Sequence, residues 1–342
     1  MEKPFRIVVA GCGNMAKTWV KYALSRTDCE IVGLTDLQEE NAAALAKEFG
    51  LRCRWYPDVG EAIRKSRANL VFDITVPESH KQIASTAMQM GCDVFTEKPI
   101  ADSLEVAEEL VAIARLLDKR YFVMQNRRYN QGIRALRSFI RSRTIGGAGM
   151  VCADFFLGPH FGGFRELMNS PLIVDMAIHT FDQARFITGA DPISVYCHEF
   201  NPTGSWYKGN ASAVCIFEMS DSSVFTYRGS WCALGSPTSW EASWRVTGSI
   251  GTAIWDGTSA PYAEIVDPDA VGPLPKQDIR RIEADSFWQG QDGHAGCLDE
   301  MFSALRENRP AETDSSDNIK SMRMVFGALE SASTGRKVDF FL

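Results

Sequence analysis

One junction constrains this chain more than any other. A short apolar run, Phe5 to Ala10, is followed at once by Gly11-Cys12-Gly13-Asn14-Met15-Ala16, and then by apolar residues at Ala16, Trp19, Val20, Ala23 and Leu24. The run reads as a strand buried on both faces, and the stripe that follows as one face of a helix. A strand that passes so quickly into a helix needs glycine at the turn. In the G-x-G-x-x-A pattern the first Gly makes the turn and the second lets backbone approach a pyrophosphate. The small third residue lets helix and strand pack closely, while the helix N-terminus offers free N–H groups to phosphate. The second strand, Ile31 to Thr35, ends at Asp36, 23 residues past Gly13. That is close to the ~20 expected for a carboxylate that binds an adenosine ribose. Gly11, Gly13, Asn14, Met15 and Asp36 therefore read as a dinucleotide site. Asp36 would repel a 2′-phosphate, and Leu37, Gln38, Glu39 and Glu40 supply no arginine to offset it. NAD is expected over NADP.

The alternation continues to about residue 125. Helical stripes cover 41–49, with Gly50 as terminator, then 80–88 and 107–117, the last with Asp102 as the expected cap. Strands are expected at 70–75, 93–96 and 121–124. This rhythm predicts a doubly wound parallel sheet. Beyond it, strand-like runs at 147–157, 193–200, 211–219, 223–231, 241–247 and 250–255 predict an open, mainly antiparallel sheet. Helices are expected at 131–142, 175–188, 293–307 and through Ile319, Met322, Phe326 and Leu329; residues 256–292 read as long loops. The expectation is an α/β Rossmann domain over 1–125 and an α+β domain for substrate and assembly over 126–342.

Composition narrows the function classes. A net charge of −7 gives no footprint for nucleic acid and none for anionic lipid. The nine cysteines are scattered and include no C-x-x-C pair, so neither a disulfide framework nor a thiolate metal site is expected. No apolar run reaches the ~18 residues of a membrane helix. Met-Glu-Lys-Pro leads straight into a run too short for a signal-peptide core, so the expected location is cytoplasmic. Cys12 lies inside the phosphate turn, where an alkylating reagent is expected to compete with NAD.

Glu97-Lys98-Pro99 after the expected strand at 93–96, with Asp175-Met-Ala-Ile-His179-Thr-Phe-Asp182 downstream, resembles the glucose–fructose oxidoreductase / inositol dehydrogenase / MocA family. Thr75-Val76-Pro77…His80, Arg127-Arg128-Tyr129 and Ser331-Ala-Ser-Thr-Gly335 are similar to further family segments. Many members carry a glycine run where this chain has Met168-Asn169-Ser170-Pro171-Leu172. The resemblance implies an NAD-dependent oxidoreductase acting on a secondary hydroxyl of a sugar, cyclitol or sugar-derived substrate. It implies that Lys98 and His179 flank the reacting carbon, that the Lys98–Pro99 bond is cis, and that Thr75, Pro77, Glu97 and Lys98 touch cofactor. It further implies that Arg127 lies near substrate and that subunits pair as a dimer or tetramer through the second sheet.

The residue types suit alcohol oxidation. Histidine is the side chain that needs least tuning to act as a base near neutrality. On a straight α-helix Asp175 sits one turn before His179 and fixes its tautomer, and Lys98 stabilises developing alkoxide charge. Asp182 reads as a further ligand or as an anchor for its helix. His80 falls on the apolar stripe of its own helix and reads equally as a core histidine. Arg134, Arg137 and Arg141 share a helical face expected to be solvated or ion-paired, and most of the second domain's tryptophans read as buried aromatics. Two other readings stand: an NAD-dependent glycosidase working by transient oxidation and elimination, and a non-catalytic nicotinamide-binding sensor.

Overall fold

The structure is a computed structural model that describes residues 3–266, 279–284 and 288–340. The chain forms two units, Met1–Asn126 with Gln291–Met322, and Arg127–Gly290 with Arg323–Leu342. In chain order the elements are β1 (Phe5–Ala10), α1 (Asn14–Ser25), β2 (Cys29–Thr35), α2 (Glu39–Phe49), β3 (Arg54–Tyr56), α3 (Val59–Ser66), β4 (Leu70–Asp73), α4 (Pro77–Gln89), β5 (Asp93–Thr96), α5 (Leu104–Leu116) and β6 (Tyr121–Val123). There follow α6 (Gln131–Arg141), β7 (Ala148–Phe156), α7 (Phe164–Leu167), α8 (Ile178–Thr188), β8 (Pro192–Phe200), β9 (Ser212–Met219), β10 (Val224–Ser230), β11 (Ser243–Gly248), β12 (Gly251–Trp255), β13 (Tyr262–Ile265), β14 (Arg280–Glu283), α9 (Gly293–Arg306), α10 (Ser315–Thr334) and β15 (Val338–Asp339).

The first sheet is parallel, in the order β3-β2-β1-β4-β5-β6. Its central strands are apolar on both faces because helices cover both; Ile7, Val8, Val9, Leu70, Val71 and Phe72 are fully buried. The order reverses between β1 and β4, which opens a crevice at their carboxyl ends. Two elements of this first sheet and its helices, β3 and α3, escaped the sequence reading. β3 has only three residues, none of them buried, and the apolar side of α3 is broken by Gly60. The expected cap at Asp102 is corrected to Ser103, whose hydroxyl accepts from the Val106 N–H.

Gln291–Met322, grouped with the second domain in sequence order, packs in the first unit. Phe302 of α9 supplies the reason. Its ring meets Phe5 at 5.0 Å, Phe95 at 5.1 Å, Tyr22 at 6.0 Å and Phe72 at 6.1 Å. Arg306 adds an ion pair to Asp28 at 3.1 Å.

The second unit carries a nine-stranded sheet, β14-β13-β12-β11-β7-β10-β9-β8-β15. Among the described pairs only β7–β10 is parallel. On β9 the side chains alternate, with Cys215, Phe217 and Met219 buried and Val214, Ile216 and Glu218 exposed. β13 and β14 correct the loop reading of 256–292. Each has four residues in a Pro- and Gly-rich stretch, and their pairing to β12 and to each other is a tertiary fact. Residues 267–278 and 285–287 of that stretch lie outside the described residues. Trp231, Trp244 and Trp255 are buried within the unit itself. Arg134 and Arg137, on the helical face expected to be solvated or ion-paired, lie over the Phe186 ring at 5.1 and 4.2 Å. Among the described residues no helix is long and apolar enough to cross a membrane.

Candidate active site

The first unit gathers its predicted residues on one edge of the sheet. Gly11 follows β1, Asp36 follows β2, Thr75 and Pro77 follow β4, and Glu97-Lys98 follow β5. Gly11 has φ +84°, and a Cβ there would stand 2.5 Å from the Ile74 carbonyl oxygen, so only glycine fits. Gly13 is the N-cap of α1 and offers no side-chain cap, and a Cβ on it would meet nothing within 4 Å. The first N–H groups of α1, including those of Asn14 and Met15, thus face open space suited to a pyrophosphate.

Asp36 is fixed by three donors. Its Oδ2 accepts from the Cys12 N–H at 2.8 Å, and its Oδ1 from the Gln38 N–H at 2.9 Å and Asn41 Nδ2 at 3.0 Å. A carboxylate has about four acceptor positions, so capacity remains for a ribose hydroxyl. Leu37, Val76 and Met15 present exposed apolar side chains in this unit, at 98%, 56% and 42%. The Cys12 expectation is corrected: the side chain is buried, and burial together with the Asp36 charge pushes its thiol up to about 12, which leaves little thiolate to alkylate.

Lys98 stands on a braced turn. Glu97 Oε1 accepts from the Trp19 indole N–H at 2.8 Å, and the Lys98–Pro99 bond is cis. His80, fully buried, places Nδ1 3.0 Å from the Pro99 carbonyl oxygen and 3.1 Å from that of Ile100. Its Nε2 is 3.2 Å from the Thr75 carbonyl oxygen. His80 is thus a core histidine that ties the turn after β5 to the turn after β4.

The second unit holds Arg127, Asp175 and His179. The expected helix over 175–188 begins differently: Leu172–Ala177 is a π-helix that runs into α8. A π-turn shifts the angular register, so the straight-helix argument that put Asp175 one α-turn before His179 does not apply. Asp175 Oδ2 accepts from Arg165 Nε of α7 at 2.9 Å, a partner 10 residues away that spacing rules did not flag. His179, in the first turn of α8, is buried. Asp182 is an anchor: its two oxygens take Arg128 Nε at 2.6 Å and Nη2 at 2.7 Å, and all of this is buried.

Arg127 donates from Nη1 to the Trp240 carbonyl, and its Nε lies 3.9 Å from Glu241. Gln183 Nε2 bonds both the Arg127 carbonyl, at 3.1 Å, and Glu241 Oε2, at 3.0 Å. Burial lowers the Arg127 pKa, against the opposing charges of Glu241 and Asp175. Glu241 and Gln183 have no local motif and were missed. Among the described residues no group of three or more His, Cys, Asp or Glu side chains is placed to hold a metal ion.

A doubly wound sheet with a glycine turn, a ribose acceptor and a braced lysine on one edge defines a dinucleotide-binding domain of the Rossmann class. Residues 5–125 match the family model of the GFO/IDH/MocA oxidoreductases, NAD-binding Rossmann fold, and residues 133–254 match the GFO/IDH/MocA C-terminal domain. The chain belongs to this family of oxidoreductases. It is similar to protein y4oX of Sinorhizobium fredii, 26% identical over 99% of this chain and 97% of that one. It is also similar to inositol 2-dehydrogenase/D-chiro-inositol 3-dehydrogenase of Lacticaseibacillus casei, 29% identical, but that match spans only 56% of this chain and 55% of the relative. The fold is shared with an oxidoreductase from Agrobacterium radiobacter solved with NAD+, L-tartaric acid and magnesium, with TM-score 0.85, 21% identity and 98% of each chain covered.

Proposed function

We propose that this protein is an NAD-dependent dehydrogenase that oxidises a secondary hydroxyl of a sugar or cyclitol. The observation that carries the proposal is the Lys98 turn, braced by Trp19 and His80 on the same sheet edge as the Gly11–Gly13 turn and Asp36. A dinucleotide bound along this edge supplies the hydride acceptor. Lys98 holds the substrate oxygen and stabilises its developing negative charge. His179 takes the hydroxyl proton, so the alcohol leaves as a ketone. Asp175, held by Arg165, and Arg127, held by Glu241 and Trp240, position substrate hydroxyls. The relative named as an inositol dehydrogenase supports a polyol substrate.

Two variants test the roles. Lys98→Met and His179→Ala should each lower turnover by about a hundredfold or more, the usual share of acid–base catalysis, while NADH still binds. Fluorescence titration should also show NADPH binding at least about tenfold, or ~1.4 kcal/mol, more weakly than NADH, because of Asp36. Near-native turnover in both variants would refute the assignment.

We also assign the outer face of the second sheet to pairing with a second copy of the chain. Tyr196 and Ile216 face one another across β8 and β9, each 45% exposed, and Val214 and Phe200 extend the patch. Ile216→Glu should lower the mass measured by light scattering; an unchanged oligomer removes this face from the interface.

A further inference from the structure

The first unit has a second concave site at the opposite edge of its sheet. A cavity of about 780 Å³ opens at the amino ends of β1, β2 and β4 and just before β3. Arg6, Glu30, Arg52, Lys65 and Arg67 line it, over a wall that includes Ile31, Phe49 and Leu51. The nucleotide edge is at the other end of the same strands. β1 has six residues, which at ~3.3 Å each puts the two edges roughly 20 Å apart.

Its charge is unusual for this chain. The net charge is −7, yet residues 52–67 hold Arg52, Arg54, Arg64, Lys65 and Arg67 against only Asp58 and Glu61. Arg6 is already committed: it donates to Glu30 at 2.6 Å, to the Ser66 carbonyl at 2.7 Å and to the Arg67 carbonyl at 3.3 Å. Those bonds neutralise Glu30 and fix the turn before β4. Among the described residues, Arg52, Lys65 and Arg67 have no carboxylate partner. Three uncompensated cations around one cavity attract an anion, and two of them are arginines, whose forked donors match phosphate or carboxylate oxygens. The half-buried apolar wall gives a carbon skeleton a surface to rest on. The volume falls within the ~300–1,000 Å³ of small-molecule sites.

We infer that this cavity binds a small, multiply charged organic anion, a phosphorylated or polycarboxylate metabolite, at a site separate from the dinucleotide crevice. Arg52, Lys65 and Arg67 hold its charged groups. The site does not depend on the proposed reaction.

The test uses the full chain saturated with NADH, titrated calorimetrically with fructose 1,6-bisphosphate, with citrate, and with glucose as a neutral control, at low salt. One or both anions should bind with the NADH still in place, and glucose should not. Tighter binding of the bisphosphate assigns phosphoryl groups, and tighter binding of citrate assigns carboxylates. The double variant Arg52→Gln with Arg67→Gly should weaken anion binding by about tenfold or more while leaving NADH affinity unchanged. Arg67 has φ +53°, so glycine there relaxes the backbone and the variant folds. The inference is overturned if neither anion binds, if sodium chloride of equal ionic strength reproduces the heat, if the anions displace NADH, or if the double variant binds them as well as the native chain.

Discussion

The two units fix their candidate residues by different means. On the first unit's sheet edge the work is done mostly by backbone. Gly11 lets the chain pass so close to Ile74 that a Cβ would stand 2.5 Å from its carbonyl oxygen, Gly13 leaves the first turn of α1 open, and Asp36 is oriented by two main-chain N–H groups. Around α8 in the second unit the work is done by paired charge, buried at Arg128–Asp182 and partly exposed at Arg165–Asp175. Arg128 clamps Asp182, Arg165 holds Asp175, and Glu241 and Gln183 hold Arg127. A backbone site tolerates change in most side chains but none at its glycine. A charge site tolerates change in the backbone but none that leaves an ion without its partner.

Three substitutions would break or sharpen that contrast. The largest loss of stability is expected at Asp182→Ala, which strands the buried Arg128 guanidinium and should cost about 3–5 kcal/mol in chemical denaturation. Replacing both members, Arg128→Met with Asp182→Leu, should recover much of it; if the double variant is no better than the single, the pair is not the anchor. Next comes Gly11→Ala. The φ of +84° and the clash with Ile74 should cost roughly 1–3 kcal/mol and weaken NADH binding by at least tenfold, and an unchanged NADH titration would show that the turn does not depend on glycine. The smallest effect is expected at the ion pair that ties α9 to the first unit. Hydrogen bonds from Arg26, and then from Arg306, hold the Asp28 carboxyl down to about 2. A depressed acid stabilises the fold above its unfolded pKa and stops doing so as pH falls. This contribution is therefore complete above about pH 4 and is lost between pH 4 and pH 2. Asp28→Asn should flatten that part of the melting-temperature profile, by no more than ~1 kcal/mol because the pair is partly solvated. An identical acid profile would dissociate Asp28 from the docking of α9.

Legibility in the sequence follows the same division. The residues from Phe5 to Ala16 announced a strand, a turn and a helix because their apolar pattern and glycine spacing are local, even though Ile74 and Asp36 complete the turn from elsewhere in the chain. Lys98 was legible through its neighbours Glu97 and Pro99. Its braces, Trp19 and His80, were not, because they come from 79 and 18 residues earlier in the chain. His80 was readable only as an apolar-face histidine; that it bonds the Pro99 and Ile100 carbonyls depends on how α4 packs beside β5. Asp175 and His179 were found by their order, yet the π-turn between Leu172 and Ala177 changed the geometry that α-helical spacing assumes. β13 and β14 were missed since four-residue strands carry too little periodicity to stand out from Pro- and Gly-rich surroundings.

By itself, then, the sequence determined the parallel sheet, the dinucleotide turn, the ribose acceptor and the family motifs, each read from a short local pattern or from the spacing between such patterns. The tertiary structure decided that Phe302 carries α9 into the first unit, that Arg165 meets Asp175 from ten residues away, and that Asp182 anchors its helix. It also brought Arg52, Lys65 and Arg67 around one cavity. The reason is physical: hydrogen-bonded turns and helices are specified by near neighbours, whereas burial and charge pairing are satisfied by whichever residues the packed fold brings within reach.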